Sequence, residues 1–576
     1  MRLRALPILC LALLLLTLAG VLAGLRPPAP AGDEATPVMI VQSLWHDHDL
    51  AYREGDLRRA ERIWDAGPSG LTLFTNDGGK TLRYGRPLAY PLATLPFYAA
   101  FGLTGIALFN MALFLAMAIA ALWHFAEEPR PARLLVAGFF FASAAFAYAF
   151  RLETEVFLMA CLYFPLLVWR RVREYPERRP GHLALAAAGL LLGAAVTSSP
   201  LLALAALPIP IDLAARRRWR GLAALLAGVI LAAGLLALTQ RAATGSWTAS
   251  GGAQRRTFVS EFPLQSPNDL WQGYGAAPAE RPTTLAASLR LLPRDLEYLL
   301  AGRFTGLLPY FPFALLAILL YLPGPQDRSR HLLAAGLLAY ALAVVLIHPR
   351  DFAGEPGFLG SRYLALVYPA FLFLPGRLET RWRLAITYAL AGLWTAPALL
   401  GALTLRSPGD LPTFQRLPLE LTLVAGDRLP GLFAQTWGDA VWIVPRSAFL
   451  VEERHPHGVW VRGGTRSEVI LISPRPLSHI AFTVYDLAPD NELTLDGGAD
   501  RLTVRFDTQG KLDGTPVDLP LRPVARDLGF FPASAHERFY RLIVDTTAGL
   551  VPARVDSKSR DARNLGVFLD LTGEGP

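Results

Sequence analysis

The feature that most constrains this chain is a series of apolar blocks, most of them near the 17–25 residues with which a helix crosses about 30 Å of hydrocarbon. They fall at 5–25, 104–125, 134–150, 156–169, 183–198, 200–215, 222–238, 307–322, 332–347, 359–375 and 384–405. Composition agrees: 53% of the residues are hydrophobic and 18% charged, where a soluble protein carries roughly a quarter charged residues. The blocks predict a polytopic α-helical membrane protein of about eleven transmembrane helices.

Orientation follows from where the arginines stand. Arg2 and Arg4 precede block 5–25, which is a cleavable signal with a poor site at Leu22-Ala23-Gly24 or an uncleaved signal anchor; its length favours the anchor. Counted from a cytoplasmic N-terminus, the inner connections hold Arg170-Arg171-Val172-Arg173 and Arg216-Arg217-Arg218-Trp219-Arg220. The short outer turns 151–155 and 198–199 hold one arginine between them. This asymmetry predicts an integral cytoplasmic (inner) membrane protein with its N-terminus inside and its C-terminal domain outside. The net charge of +8 thus sets orientation and forms no nucleic-acid-binding face. Cys10 and Cys161 both lie in apolar blocks and offer no disulfide framework.

Three outer segments are long enough to hold chemistry. Residues 26–103 form the first; 239–306 form the second, with an amphipathic stretch at 285–300 suited to the interface. The transmembrane bundle occupies 104–405, a linker 406–449, and a C-terminal domain 450–576. In that last region long apolar blocks give way to short alternating runs at 468–472, 480–485, 502–506 and 539–544, punctuated by Asp490-Asn491 and Asp496-Gly497-Gly498. Such alternation predicts a soluble, extracytoplasmic, all-β sandwich of jelly-roll-like type.

Two acidic motifs stand at the predicted outer surface. Gly32-Asp33-Glu34 follows the first block, and Glu153-Thr154-Glu155 fills a very short turn. One glutamate there suits a helix N-terminus. Two at spacing i, i+2 lose hydration and repel each other unless a cation is near, which marks a candidate divalent-metal or phosphate–metal site, with Mg or Mn as the ion. His46 and His48 flank Asp47 and Asp49 and read first as a polar loop, second as metal ligands. Walker, Rossmann and zinc-type spacings do not occur.

With these motifs the chain resembles the GT-C superfamily of membrane glycosyltransferases, among them protein O-mannosyltransferases and aminoarabinose transferases. The matching residues are Gly32-Asp33-Glu34, Glu153-Thr154-Glu155, and the entry Tyr84-Gly85-Arg86-Pro87-Leu88-Ala89-Tyr90-Pro91, together with a soluble domain after the last span. The likeness covers about 1–406. It implies transfer of a sugar from a polyprenyl-phosphate donor to a glycan, lipid or protein hydroxyl outside the cytoplasm. Asp33, or its neighbour Glu34, would be the general base. Donor phosphate would be held by Arg362, Arg303, Arg255, Arg256 or Lys80, each otherwise a snorkelling interface side chain. Two alternatives remain: a non-catalytic scaffold or glycan-binding subunit of the same fold, and a transporter or lipid flippase.

Overall fold

A computed structural model describes residues 34–64, 68, 71–77, 80–125, 130–174, 181–247, 255–258, 284–302, 305–322, 327–349, 360–375, 381–396, 432–445, 449–455, 458–506, 514–524, 538–556 and 563–571. The first block, 5–25, lies outside them.

Among the described residues three helices are long and apolar enough to cross a membrane: Leu103–His124, Trp219–Thr244 and Arg328–Ile347. Trp219–Thr244 leaves Leu226, Ile230, Leu231, Leu235 and Leu238 exposed. A helix apolar on its open side needs a lipid environment, because water would not tolerate that face. It packs closely on His182–Ser198. A Cβ on Gly189 would stand 2.0 Å from Leu225 O, and one on Gly228 2.2 Å from Ala186 O. Only glycine lets these backbones meet, the small-residue packing that replaces the hydrophobic effect between helices in lipid.

Several predicted spans are interrupted, so among the described residues the apolar blocks appear as these three long helices and a set of shorter ones. Block 307–322 divides into Leu307–Tyr310 and Pro312–Tyr321, because Pro312 supplies no N–H to continue the first helix. Block 134–150 divides into Arg130–Phe141 and Ala145–Tyr148. Ser143 Oγ donates to Phe139 O at the break, and Ala144 N–H donates to Tyr310 O of another segment. Block 359–375 becomes Arg362–Val367 followed by the 3-10 turn Tyr368–Phe373 with Pro369 at its start. Helix Glu155–Glu174 covers 156–169 and extends past it at its charged C-terminal end.

The described residues of the 26–103 segment fold as a small layer with its own core of Met39, Ile40, Tyr52, Leu57, Leu73 and Tyr84. Helices Ala35–His46, Glu54–Trp64 and Ala89–Phe101 surround a three-stranded sheet in the order Arg83–Tyr84, Leu71–Phe74, Arg255–Phe258. That last strand comes from the 239–306 segment, so the sheet ties the two together. Asn76 Nδ2 also donates to Thr244 O at the end of the long helix, 2.8 Å away. Helix Leu285–Ala301 exposes Leu285, Leu289, Leu296 and Leu300 along one side, the pattern of an interfacial helix.

The described C-terminal region is antiparallel β apart from the short helix Pro552–Val555. One sheet runs Arg501–Phe506, Asn491–Asp496, Arg538–Thr546, Arg466–Ser473, Ala440–Pro445, Leu432–Trp437, with Pro523–Val524 paired to Arg538–Thr546. The other runs Thr515–Pro520, His479–Asp486, Leu565–Asp570, Gly458–Arg462, Phe449–His455. Val484, Leu519 and Val567 of the second sheet share one core with Leu471, Leu493 and Val544 of the first. The β region starts earlier than alternation alone suggested. Leu432–Trp437 and Ala440–Pro445 pair as a hairpin inside the stretch assigned to the 406–449 linker. Its two-residue turn is Gly438-Asp439, with Gly438 at φ 57° where glycine is unstrained.

Candidate functional site

Two distant stretches of sequence meet at one end of helix Glu155–Glu174. Glu34 stands at the start of helix Ala35–His46 but does not cap it. Its carboxylate turns to the 151–155 turn, where Oε1 accepts from Leu152 N–H at 3.3 Å and from Arg151 Nε at 3.4 Å. The same guanidinium reaches Glu153, with Nη2 3.0 Å from Oε1. Arg151 thus joins the two acidic motifs, and it was not among the residues singled out in the sequence. Its signal there was the alternation Arg151, Glu153, Glu155, which places charges of both signs in one short turn.

The turn is fixed from below by Asn110, a fully buried residue of Leu103–His124. Its Nδ2 lies 2.7 Å from Arg151 O, 3.0 Å from Glu153 O and 3.0 Å from Tyr90 Oη. An amide in an apolar helix that satisfies two turn carbonyls holds the acidic residues in register with the bundle. Asn110 and Tyr90 are further residues that periodicity does not reveal, since a lone polar residue in a span has no partner in the sequence.

Glu155 occupies the first turn of its helix, where a carboxylate meets the positive end of the backbone dipole. Arg362 Nε lies 4.0 Å from Glu155 Oε1. Arg362 is placed by a local device: Ser361 caps its helix by accepting from Leu364 N–H at 3.4 Å, and Gly360 takes φ 76° against Phe311. A Cβ at Gly360 would stand 2.7 Å from Phe311, so glycine is required twice over.

The electrostatics are those of acids held out of water. Glu153 and Glu155 are each 3% exposed, and the second oxygen of each carboxyl has no hydrogen-bond partner. Burial pushes the Glu153 carboxyl well up, and the charges of Glu155 and Glu34 act the same way against the opposing pull of Arg151. Burial works to lower Arg151, but the carboxylates of Glu153 and Glu34 outweigh it and hold the guanidinium charged.

Among the described residues no three His, Cys, Asp or Glu side chains converge as a metal-ligand set. Positive charge at the acids comes from Arg151 and Arg362. The His46–Asp49 stretch is engaged otherwise. His46 Nε2 meets Tyr98 Oη at 3.3 Å, Asp49 pairs with Arg53 at 2.8 Å, and Asp47 pairs with Arg59. Of the other candidates, Asp33 and Arg303 lie outside the described residues. Arg255 and Arg256 sit on the strand against Leu71–Phe74, and Lys80 is exposed in the turn before Arg83–Tyr84. The structure therefore brings together Glu34, Glu153, Glu155 and Arg362, and places the Arg255–Arg256 pair on the sheet and Lys80 beside it in the connection before Arg83–Tyr84.

No family model and no curated protein matches the chain. Among solved structures it is similar to a crystal structure of ArnT from Cupriavidus metallidurans bound to undecaprenyl phosphate. The identity is 15% and the TM-score 0.37, over 71% of this chain and 74% of that one.

Proposed function

We propose that this chain is a GT-C-type glycosyltransferase of the cytoplasmic membrane, transferring a sugar from a polyprenyl-phosphate donor to an acceptor hydroxyl on the extracytoplasmic side. In this reading the N-terminus is inside, about eleven segments cross the bilayer, and the β-rich C-terminal region lies outside. The observation that carries it is the junction of Glu34 with Glu153 through Arg151, beside Glu155 and Arg362. Two acidic motifs about 120 residues apart meet at a helix end, among arginines suited to a phosphate. A transporter would set such acids near the bilayer midplane, so their place at the start of Glu155–Glu174 favours the transferase.

The chemistry divides among these residues. Glu34 is committed to Arg151 and Leu152 N–H, which leaves the adjacent Asp33 as general base. Asp33 takes the acceptor's hydroxyl proton as that oxygen attacks the anomeric carbon. The bond from that carbon to the phosphate oxygen breaks, and polyprenyl phosphate departs with the electron pair. Arg362, oriented by Glu155, meets the charge that grows on the leaving phosphate.

The test is sugar transfer from a polyprenyl-phosphate donor by the purified full-length protein. Asp33→Asn is expected to lower transfer by roughly 10²–10⁴-fold at unchanged protein level, since a positioned base contributes that much. Full activity in Asp33→Asn and in Glu34→Gln alike would end the catalytic reading.

A further inference from the structure

At the far end of helix Glu155–Glu174, roughly 24 Å from the acidic junction at 1.5 Å per residue, arginines from two separate connections converge. Arg170, Arg171 and Arg173 close that helix; Arg216, Arg217 and Arg218 form the loop before Trp219–Thr244. The loop is folded back tightly. Arg217 takes a left-handed φ of 55°, its N–H donates to Ala214 O at 2.9 Å, and Arg218 N–H donates to Leu213 O at 2.9 Å. Arg218 Nη1 then donates to Val172 O at 3.1 Å, which locks the loop onto the other arginine run.

Among the described residues, acids answer only part of this charge. Buried Asp212 is shared by Arg216 Nε at 3.1 Å and Arg173 Nη1 at 3.4 Å, and it also accepts from Trp169 Nε1 at 2.9 Å. Arg173 also reaches Asp327 at 3.5 Å, and Arg170 pairs with Glu174 at 2.8 Å. Arg217 is exposed between Arg216 and Arg218, and Arg171 is exposed on the last turn of Glu155–Glu174. A rule that merely orients helices needs arginines in each loop and gives no reason for two loops to be bonded together. Convergence of like charge costs energy unless an anion lies among them.

A second observation says what carries that anion. Trp219–Thr244 starts at this cluster without a side-chain cap. Trp219 is exposed at its first turn, and Leu226, Ile230, Leu231, Leu235 and Leu238 are exposed along its length. An arginine cluster, an interfacial tryptophan and an open apolar helix face follow one another as do the phosphate, glycerol region and acyl chains of a lipid. We propose that this corner binds an anionic phospholipid, its phosphate among Arg171, Arg217 and Arg218 and its acyl chains along Trp219–Thr244. This site is separate from the acidic junction and does not depend on the transferase reading.

The experiment uses the full-length protein in nanodiscs of phosphatidylcholine with increasing phosphatidylglycerol, with bound lipid counted by native mass spectrometry. Wild type is expected to retain phosphatidylglycerol in preference to phosphatidylcholine. Arg171→Gln/Arg217→Gln is expected to reduce that preference about 30-fold, from the surface attraction of two arginines for anionic lipid. Its unfolding midpoint in pure phosphatidylcholine nanodiscs shows whether it is folded. Should it not fold, the wild-type titration decides alone, and equal retention of the two lipids refutes the site. Unchanged preference in a folded variant also overturns it. Full displacement of the lipid by inorganic phosphate would assign the arginines to a free anion and overturn the lipid assignment.

Discussion

Replacing Arg151 by alanine would leave two carboxylates at the junction without the guanidinium they share. Glu153 is 3% exposed and 3.0 Å from Arg151; Glu34 has 17% of its side chain exposed and is 3.4 Å away. Removing one partner of a buried ion pair costs about 3–5 kcal/mol, because the other charge is stranded. Partial hydration of Glu34 puts the expected loss near the lower end, about 3 kcal/mol at neutral pH. Acid should shrink it. The Glu153 carboxyl is raised by burial, so it takes up a proton readily as pH falls, and a neutral side chain no longer needs Arg151. A denaturant titration in mixed micelles at pH 7.5 and pH 5, on Arg151→Ala and on Arg151→Ala/Glu153→Gln, measures both effects. The double variant is expected to recover most of the loss. A loss below about 1 kcal/mol, the size of an exposed pair, or a double variant no better than the single, would refute the role of Arg151 as shared counter-charge.

Asp56 gives a pH prediction. Burial raises its carboxyl from 3.8 to about 6, against the opposing hydrogen bond from Arg53 N–H and the charge of Arg59. The folded state therefore holds this proton more tightly than the unfolded chain. Its stabilisation is complete below about pH 4 and is lost as pH rises through about 6, by roughly 3 kcal/mol for about two pH units; Asp56→Asn should flatten that slope in a pH series of unfolding midpoints. Gly189→Val should abolish folded, detergent-extractable protein, since its Cβ would meet Leu225 O at 2.0 Å, and a normal yield on size-exclusion chromatography would contradict the close packing. Chelation with EDTA should leave transfer unchanged; loss restored by added Mn would put a cation at the acidic pairs. Reporter fusions at Arg171 and Arg217 should read cytoplasmic and one at Gly510 extracytoplasmic, and a cytoplasmic signal at Gly510 would invert the proposed topology.

Much of the helical region was legible because apolar length is a cumulative signal: fourteen or more residues outweigh any one of them. What it misses are single residues that change backbone rules. Pro312 ends one helix and starts another, and Ser143 with Ala144 opens Arg130–Phe141 toward Tyr310. Each break lies inside a block whose mean hydropathy hides it. The β boundary failed for a related reason. Trp437 and Ala440 flank a turn of only two residues, Gly438-Asp439, and a count of alternating residues does not register so short a hairpin.

The site divides along the same line between local and distant information. Glu153 and Glu155 stand out because their conflict is local, two like charges at one membrane edge. Glu34 and Arg362 stand out by motif and by a helix start. Arg151 resolves that conflict, yet in the sequence it is a single arginine in an outer turn, and a count of inner arginines passes over it. Its role appears only when the start of Ala35–His46 is folded against the 151–155 turn, so that one guanidinium lies between carboxylates from both. The arginines at the other end of Glu155–Glu174 carry the same lesson with the sign reversed. Each is expected for its loop alone, and it is the bond from Arg218 to Val172 O that turns two ordinary loops into one unbalanced charge in need of an anion.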